Sequence, residues 1–184
     1  MLGPTGIGCL WGRSEILHSM PPFLTGGSMI ETVTMERTSF AEPPKRVEPG
    51  VPMVAQAVGL AAACDFLSAI SMGAVVDHEH AITRYALERM AEVAGVRVVG
   101  PTDMHMRGSA ISFEVDGVHP HDVGQVLDDR GIAVRVGHHC AWPACRRLGV
   151  PATTRISPYI YNDRDDIDAF IEALAHVRRV FGVS

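Results

Sequence analysis

Hydrophobic residues recur at helical spacing in three segments of the second half of the chain. These segments are residues 77–93, 119–130 and 165–181. In the last of them, Ile167, Phe170 and Leu174 fall on one face of a helix with 3.6 residues per turn. Gly95 and Gly131 follow the first two segments and are expected at their ends. Asn162 or Asp163 can cap the start of the third.

Four short segments between these helices have the pattern of β-strands. They are residues 96–99, 110–115, 132–136 and 153–157. The second alternates, so that Ile111, Phe113 and Val115 share one face. Short connections and the lack of long apolar strands predict a small sheet with helices on one face.

The first half of the chain is less regular. Residues 7–11 are strand-like and residues 13–17 are expected to form a short helical turn. Residues 53–72 then predict an almost wholly apolar helix, which falls short of a membrane span because Gln56 and Asp65 interrupt it. A helix that is apolar all round must be covered all round, which predicts cover from a second domain or subunit.

Composition and charge narrow the class of protein. The 184 residues are 47% hydrophobic and 20% charged, with a mean hydropathy of +0.14, which is typical of a globular chain. A net charge of -5 without a long basic run argues against nucleic acid and membrane surfaces as partners. The four cysteines have no regular disulfide spacing and no secretory signal is apparent, so we expect a reduced cytoplasmic protein.

Residues 135–147 concentrate a thiol, two imidazoles and three guanidinium groups. The thiol is Cys140, with His138 and His139 directly before it and Arg135 five residues away. Neighbouring cations favour the thiolate, which is the nucleophilic form of cysteine. The alternative is a buried cysteine that acts as a small hydrophobic residue. For Cys145 we expect a loop or helix cysteine without a role in the chemistry. For Cys140 the pattern favours a reactive thiol.

Two further possibilities concern metal and anion binding. His138, His139, Cys140 and Cys145 are all zinc-ligand types, but the paired cysteine spacing of structural zinc modules is missing, so no metal is expected. Arg155 lies in a strand-like segment. It can hold a substrate carboxylate in a bidentate manner, or it can be a surface arginine on an edge strand.

Four motifs in order resemble the carboxy-terminal part of a cysteine desulfurase of the SufS type. They are residues 1–13, 21–30, 135–141 and 153–162. Such enzymes are class V aminotransferase-like members of the fold-type I pyridoxal phosphate family. The resemblance implies an α/β fold, with an α+β carboxy-terminal small domain and the tail of a large domain. Residues 1–50 would end the large cofactor domain, residues 51–73 would form an interdomain helix, and residues 74–184 would form the small domain.

The resemblance also implies a chemistry and a role for each candidate residue. With pyridoxal phosphate as electron sink, the enzyme thiol takes sulfur from L-cysteine as a persulfide and releases L-alanine. The sulfur then passes to an acceptor protein of iron–sulfur cluster assembly. Cys140 matches the thiol and Arg155 the residue that holds the substrate carboxylate, while Arg135 and His139 match helpers near the substrate. Gly50 matches a loop that reaches the cofactor phosphate of the neighbouring subunit in a homodimer.

Two departures from the family pattern qualify these expectations. Val51 stands where the family usually has a threonine, so a hydroxyl donor to the phosphate is missing. The family's Schiff-base lysine stands just before the methionine that aligns with Met1. We therefore expect a truncated chain that is inactive alone. The alternatives are a selenocysteine lyase-like pyridoxal enzyme and a non-enzymatic fragment that carries persulfide or dimerises.

Overall fold

The computed structural model describes residues 1–105 and 107–182. Its backbone divides into an N-terminal unit, Met1–Ile70, and a C-terminal unit that begins at Ser71. Each unit has its own sheet. The division into segments 1–50, 51–73 and 74–184 stays a prediction.

The N-terminal unit contains two helices, a two-stranded antiparallel sheet and one turn of 3₁₀ helix at Lys45–Val47. Its elements are α1 (Ser14–Ser19), β1 (Ile30–Val33), β2 (Thr38–Phe40) and α2 (Val54–Ile70). The expected helical turn is confirmed as α1, but the strand expected at residues 7–11 is wrong. Those residues have no strand partner among the described residues of this unit, and a strand without a partner leaves its backbone groups unpaired.

Helix α2 confirms the apolar helix expected at residues 53–72. Only Ala63 and Leu67 are buried, whereas Val58 and Phe66 are more than half exposed. Its predicted cover by a second domain or subunit stays a prediction. Within residues 1–105 and 107–182, no single helix is long and apolar enough to cross a membrane, and α2 reaches that threshold only when joined to the following helix across the break at Ser71.

The C-terminal unit is a four-stranded sheet with four helices. Its elements are α3 (Met72–Ala91), β3 (Val96–Val99), β4 (Ile111–Val115), α4 (Pro120–Asp128), β5 (Arg135–Gly137), α5 (Trp142–Leu148), β6 (Thr153–Ile156) and α6 (Arg164–Val180). All neighbouring strands are antiparallel, in the order β3-β4-β6-β5. The three predicted helices and four predicted strands are therefore confirmed in type and order.

Three of the boundaries that differ from the predictions have a local reason. Helix α3 begins at Met72 rather than near residue 77, because the Ser71 hydroxyl accepts a hydrogen bond from the Ala74 amide and caps it. Strand β5 begins at Arg135 rather than at residue 132, because its pairing with β6 starts at Arg135. Helix α6 starts after Asp163, which forms a capping box with Asp166.

The core lies between one face of the sheet and helices α3, α4 and α6. Ile111 and Phe113 on β4 are fully buried, as the alternation predicts. The Phe113 ring meets Phe170 of α6 edge to face, with centroids 5.7 Å apart. Helix α4 approaches β5 closely at Gly124, where a Cβ atom would lie 2.6 Å from Val136 Cγ1. This packing fixes β5 and the loop that follows it.

The other face of the sheet carries a row of residues in register, three of which are polar. Val99, Ser112, Arg155 and Arg135 lie directly opposite one another across β3, β4, β6 and β5. Side chains alternate between the faces of a strand, so this row points away from the core that Phe113 and Thr154 face. The row forms the floor of the candidate site.

Candidate active site

Two arginines are cross-strand neighbours on this open face. Arg135 of β5 pairs with Arg155 of β6. Among residues 1–105 and 107–182, neither guanidinium has a carboxylate within 4.0 Å, although five other arginine–carboxylate pairs are present. Arg155 Nε is also buried without a hydrogen-bond partner among these residues. Like charges directly opposite each other are unfavourable, so the pair is suited to an anionic ligand between or beside the two side chains.

The thiol follows β5 on a tight turn. His139 and Cys140 both have left-handed backbone angles, with φ values of 53° and 60°. The Ala141 amide donates to the His138 carbonyl at 2.8 Å, and α5 then begins at Trp142. Left-handed geometry costs roughly 1–2 kcal/mol for each residue other than glycine. The turn is therefore strained, and it leaves Cys140 exposed.

Arg135 and Cys140 lie next to each other in the structure. Arg135 Nη2 lies 3.8 Å from Cys140 Sγ, within hydrogen-bond distance for sulfur. The guanidinium donates to the sulfur, which is the atom that would attack an electrophile. The structure thus brings together the candidate nucleophile, Arg135 and, one strand further, Arg155.

The side chain of His139 links the turn to the sheet. Its Nε2 is 2.8 Å from the Thr153 hydroxyl, while its Nδ1 is buried without a partner among the described residues. Burial, followed by the positive charges of Arg155 and Arg135, lowers the pKa of His139 below its usual value near 6.5, against an opposing contribution from Thr153. The imidazole is therefore neutral at pH 7.

Two other basic residues of the motif contact Trp142. His138 stacks on Trp142 with centroids 3.9 Å apart, and Arg146 lies 5.9 Å from the centroid of the same indole ring. Cys145 is buried in α5, and its thiol lies 3.9 Å from the His138 carbonyl. No group of three or more metal-ligand side chains occurs within residues 1–105 and 107–182.

A cavity of about 170 Å³ lies between the open face of the sheet and α5. Its polar lining comes from Ser112, His138, His139, Thr153 and Arg155. Its apolar lining includes Val99, Ala144, Leu148 and Val150. Sequence reasoning missed Ser112 and Thr153, because only strand register places them beside Arg155 and His139.

Gly50 belongs to the N-terminal unit. Its φ of 89° requires left-handed backbone, and its amide donates to the Gly27 carbonyl at 2.8 Å. The amide is thus already engaged within the unit, while the neighbouring Val51 side chain is 89% exposed. The expected contact between this loop and a cofactor phosphate of another subunit stays a prediction.

Comparison with known proteins assigns the chain to a family. The sequence model described as aminotransferase class-V matches residues 1–170. The chain belongs to the aminotransferase class-V family. This confirms the resemblance found in the sequence motifs, and the mixed helix and strand fold agrees with it.

Relatives within the class-V family show the same similarity over nearly the whole chain. A probable cysteine desulfurase of Streptomyces coelicolor is 58% identical over 182 residues, and a cysteine desulfurase of Haloferax volcanii is 43% identical over 181 residues. The match covers 99% and 98% of this chain. The chain spans 44% and 42% of the length of these two relatives.

Solved structures confirm the fold. The Escherichia coli cysteine desulfurase CsdA is 34% identical, with a TM-score of 0.90. The apo cysteine desulfurase of Thermococcus onnurineus is 37% identical, with a TM-score of 0.91. Each match covers 97% of this chain and 44% of the solved chain. The class-V fold predicted from sequence is therefore the one observed.

Proposed function

We propose that this protein is a cysteine desulfurase that moves sulfur from L-cysteine to Cys140. The observation that carries the proposal is the contact of Arg135 Nη2 with Cys140 Sγ, next to Arg155, which has no carboxylate partner among the described residues. A nucleophilic thiol beside a carboxylate-binding cation suits an amino-acid substrate that carries sulfur. The relatives named as cysteine desulfurases support the same assignment.

Pyridoxal phosphate, when bound, supplies an electron sink next to the substrate α-carbon. The residues of the C-terminal unit fit the substrate half of such a site, since Arg155 Nε and His139 Nδ1 are buried polar atoms without partners among the described residues. They do not supply an amine for the cofactor. The only lysine in the sequence, Lys45, is exposed on the 3₁₀ turn of the N-terminal unit. No step is therefore assigned to cofactor attachment on this chain.

The proposed sulfur transfer balances without an external oxidant. The Cys140 thiolate attacks the sulfur of L-cysteine, so an S–S bond forms as the substrate C–S bond breaks. The electron pair of that bond stays on the substrate carbon, which takes up a proton and leaves as L-alanine. The product on the protein is a persulfide of Cys140, and the oxidation of sulfur is matched by reduction of the carbon.

Side chains around Cys140 have distinct roles in this proposal. Arg155 binds the substrate carboxylate, and Arg135 holds the sulfur of Cys140 in place. His139 is neutral at pH 7 and presents Nδ1 as a ring nitrogen that can exchange a proton in the cavity. The exposure of Cys140 leaves room for its persulfide to meet an acceptor.

The finer assignments belong to the same proposal. We infer an enzyme of the SufS type that works in the cytoplasm and passes persulfide sulfur to an acceptor protein of iron–sulfur cluster assembly. The reducing environment there suits free thiols. We also infer a homodimer, in which the loop around Gly50 reaches the neighbouring subunit and the exposed face of α2 is covered.

A second function has one specific observation in its favour. Cys140, Arg135, His139 and Arg155 all belong to the C-terminal unit, whereas Lys45 belongs to the N-terminal unit. The thiol site is thus assembled independently of any lysine in this sequence, which is compatible with a chain that carries persulfide without making it. Selenocysteine as the substrate fits the same arginine pair, because its carboxylate is identical.

A chimera tests the proposed function directly. The matching 182 residues of the Streptomyces coelicolor relative would be replaced by this chain, and alanine formation from L-cysteine would be measured with pyridoxal phosphate. We expect turnover in the chimera and none in its Cys140→Ala variant. A folded chimera that binds the cofactor but forms no alanine would contradict the proposal.

The isolated chain provides the complementary measurement. We expect it to form no alanine from L-cysteine with added pyridoxal phosphate, because the C-terminal unit, which holds Cys140, contains no lysine. We also expect Cys140 to accept sulfur from a donor persulfide. Alanine formation at the rate of the chimera would show that this chain holds the cofactor itself.

A further inference from the structure

Thr153 lies at the start of β6, with its side chain on the open face of the sheet. It is 2% exposed, and its hydroxyl has one hydrogen-bond partner among the described residues, His139 Nε2 at 2.8 Å. We propose that Thr153 is a positioning residue, whose hydroxyl fixes the His139 ring and thereby the turn that bears Cys140. The inference rests on the proposed role of Cys140 as the nucleophile.

The strained turn explains why such a residue is needed. Two consecutive left-handed residues persist only where surrounding contacts over-determine them. The stacking of His138 on Trp142 and the contact of the Cys145 thiol with the His138 carbonyl join the turn to α5. Two side-chain hydrogen bonds join it to the sheet. One links His139 Nε2 and the Thr153 hydroxyl at 2.8 Å, and the other links Arg135 Nη2 and the sulfur of Cys140, a weak acceptor, at 3.8 Å.

The hydroxyl of Thr153 also decides which ring nitrogen of His139 is left without a partner. With Nε2 engaged, Nδ1 is left buried and without a partner among the described residues. The charged or titratable groups near the ring are Arg135 from β5, Arg155 from β6 and His138 from the turn. In this proposal Nε2–H donates to the Thr153 hydroxyl and Nδ1 keeps its lone pair, because a buried N–H group without an acceptor is costly.

Thr154 provides a matched control on the same strand. It is 1% exposed and its side chain points to the opposite, core face, where its hydroxyl donates to the Pro120 carbonyl at 3.2 Å. Replacement of either threonine by valine removes one buried hydroxyl from β6. Only the change at Thr153 removes a bond to the catalytic turn.

The test uses the 184-residue chain with ¹⁵N-labelled histidine. In the unaltered chain we expect NMR to show one neutral His139 tautomer, protonated at Nε2. In Thr153→Val we expect a mixture of the two neutral tautomers. The alkylation of Cys140 at pH 7 should slow by about 2- to 10-fold, the equivalent of one lost hydrogen bond, because the thiol moves away from Arg135. Thr153→Ser should restore the single tautomer of His139 and the rate of Cys140 alkylation. Thr154→Val should change neither of these two readouts.

Two outcomes would overturn the proposal. One is a folded Thr153→Val chain with unchanged histidine signals and an unchanged alkylation rate. The other is a tautomer mixture in the unaltered chain, which decides the question even if Thr153→Val does not fold. Neither readout depends on alanine formation, so failure of this inference is distinguishable from failure of the proposed desulfurase activity.

Discussion

Arg135 on β5 lies directly opposite Arg155 on β6, and no described carboxylate lies within 4.0 Å of either guanidinium. This pair stores electrostatic repulsion that an anionic ligand relieves. Directly opposed like charges cost stability, and cross-strand pairs of this kind change it by about 0.2–1 kcal/mol. The site is therefore less stable than the same sheet with one charge removed.

Replacement of Arg135 by glutamine should raise the stability of the chain and lower the reactivity of Cys140. We expect the free energy of unfolding to rise by about 0.2–1 kcal/mol, because the repulsion from Arg155 is removed. Alkylation of Cys140 should become slower, because the donor 3.8 Å from its sulfur is lost. Urea denaturation and iodoacetamide kinetics measure the two effects.

Arg147→Gln is the control for that prediction, since Arg147 is exposed on α5 and has no ion-pair partner among the described residues. It removes the same charge without touching the arginine pair. Equal effects of the two substitutions would show that net charge, rather than the opposed pair, controls the thiol.

Cys140 and Cys145 differ in exposure, and their reactivity should differ accordingly. In a chain whose two other exposed cysteines are replaced, Cys9→Ser/Cys64→Ser, the further change Cys140→Ala should abolish the persulfide formed with a sulfur donor. Cys145→Ala should keep it, because Cys145 is 7% exposed and Cys140 is exposed. Mass spectrometry of the intact chain detects the added sulfur. A persulfide that survives in Cys140→Ala would place the acceptor sulfur elsewhere.

Acid should destabilise the chain through His139. Burial and the nearby arginines lower its pKa in the folded state. Between the ordinary value of about 6.5 and that lowered value, the unfolded chain binds a proton that the folded chain does not. The contribution of His139 to the free energy of unfolding is therefore fully present above about pH 6.5. It is lost as the pH falls toward the pKa of His139 in the folded chain. The denaturation midpoint in urea at a series of pH values measures this slope.

His139→Gln should weaken the dependence of the urea denaturation midpoint on pH without abolishing it. The pKa of His176 is also lowered, by burial and by Arg130 and Arg179, so it adds to the same pH dependence. His176→Gln should therefore flatten it too, while leaving Cys140 alkylation unchanged. If neither His139→Gln nor His176→Gln changes the pH dependence of the urea midpoint, the acid sensitivity belongs to other groups.

Asp163 should contribute measurably to the stability of α6. Its carboxylate accepts a hydrogen bond from the Asp166 amide at 3.1 Å, and the Asp166 carboxylate accepts one from the Asp163 amide. Asp163→Ala should lower the free energy of unfolding by about 0.5–2 kcal/mol. Asp165→Ala, in the same turn but outside the capping box, should have a smaller effect in the same urea titration.

Gly124 should tolerate no side chain, because α4 approaches β5 there. A Cβ atom at Gly124 would lie 2.6 Å from Val136 Cγ1. Alanine gains about 0.8–1.0 kcal/mol in helix propensity over glycine, but overpacking costs typically about 1–3 kcal/mol. We expect a net loss of stability, together with altered Cys140 alkylation as β5 moves.

The double variant Gly124→Ala/Val136→Ala checks this explanation. It should be more stable than the sum of the two single effects predicts, since the smaller residue at position 136 relieves the clash. Additive effects would show that the contact between the two residues is not the cause.

Periodicity and capping chemistry determined most of the C-terminal unit. The helical spacing of Phe170 and Leu174 and the alternation of Ile111 and Phe113 predicted α6 and β4, because one face of each element must be buried. The element that failed, residues 7–11, shows the limit of such patterns. A strand requires a partner, and local sequence does not say whether one is present.

The sequence by itself also identified Cys140, Arg135, His139 and Arg155 as candidates, because unusual side chains were concentrated there or matched family motifs. Only the tertiary structure decided how they meet. Strand register placed Arg155 opposite Arg135 and brought Thr153 to His139, although 14 residues separate that last pair in the chain. Cross-strand pairing depends on the packing of the whole sheet, so these contacts have no local signature in the sequence.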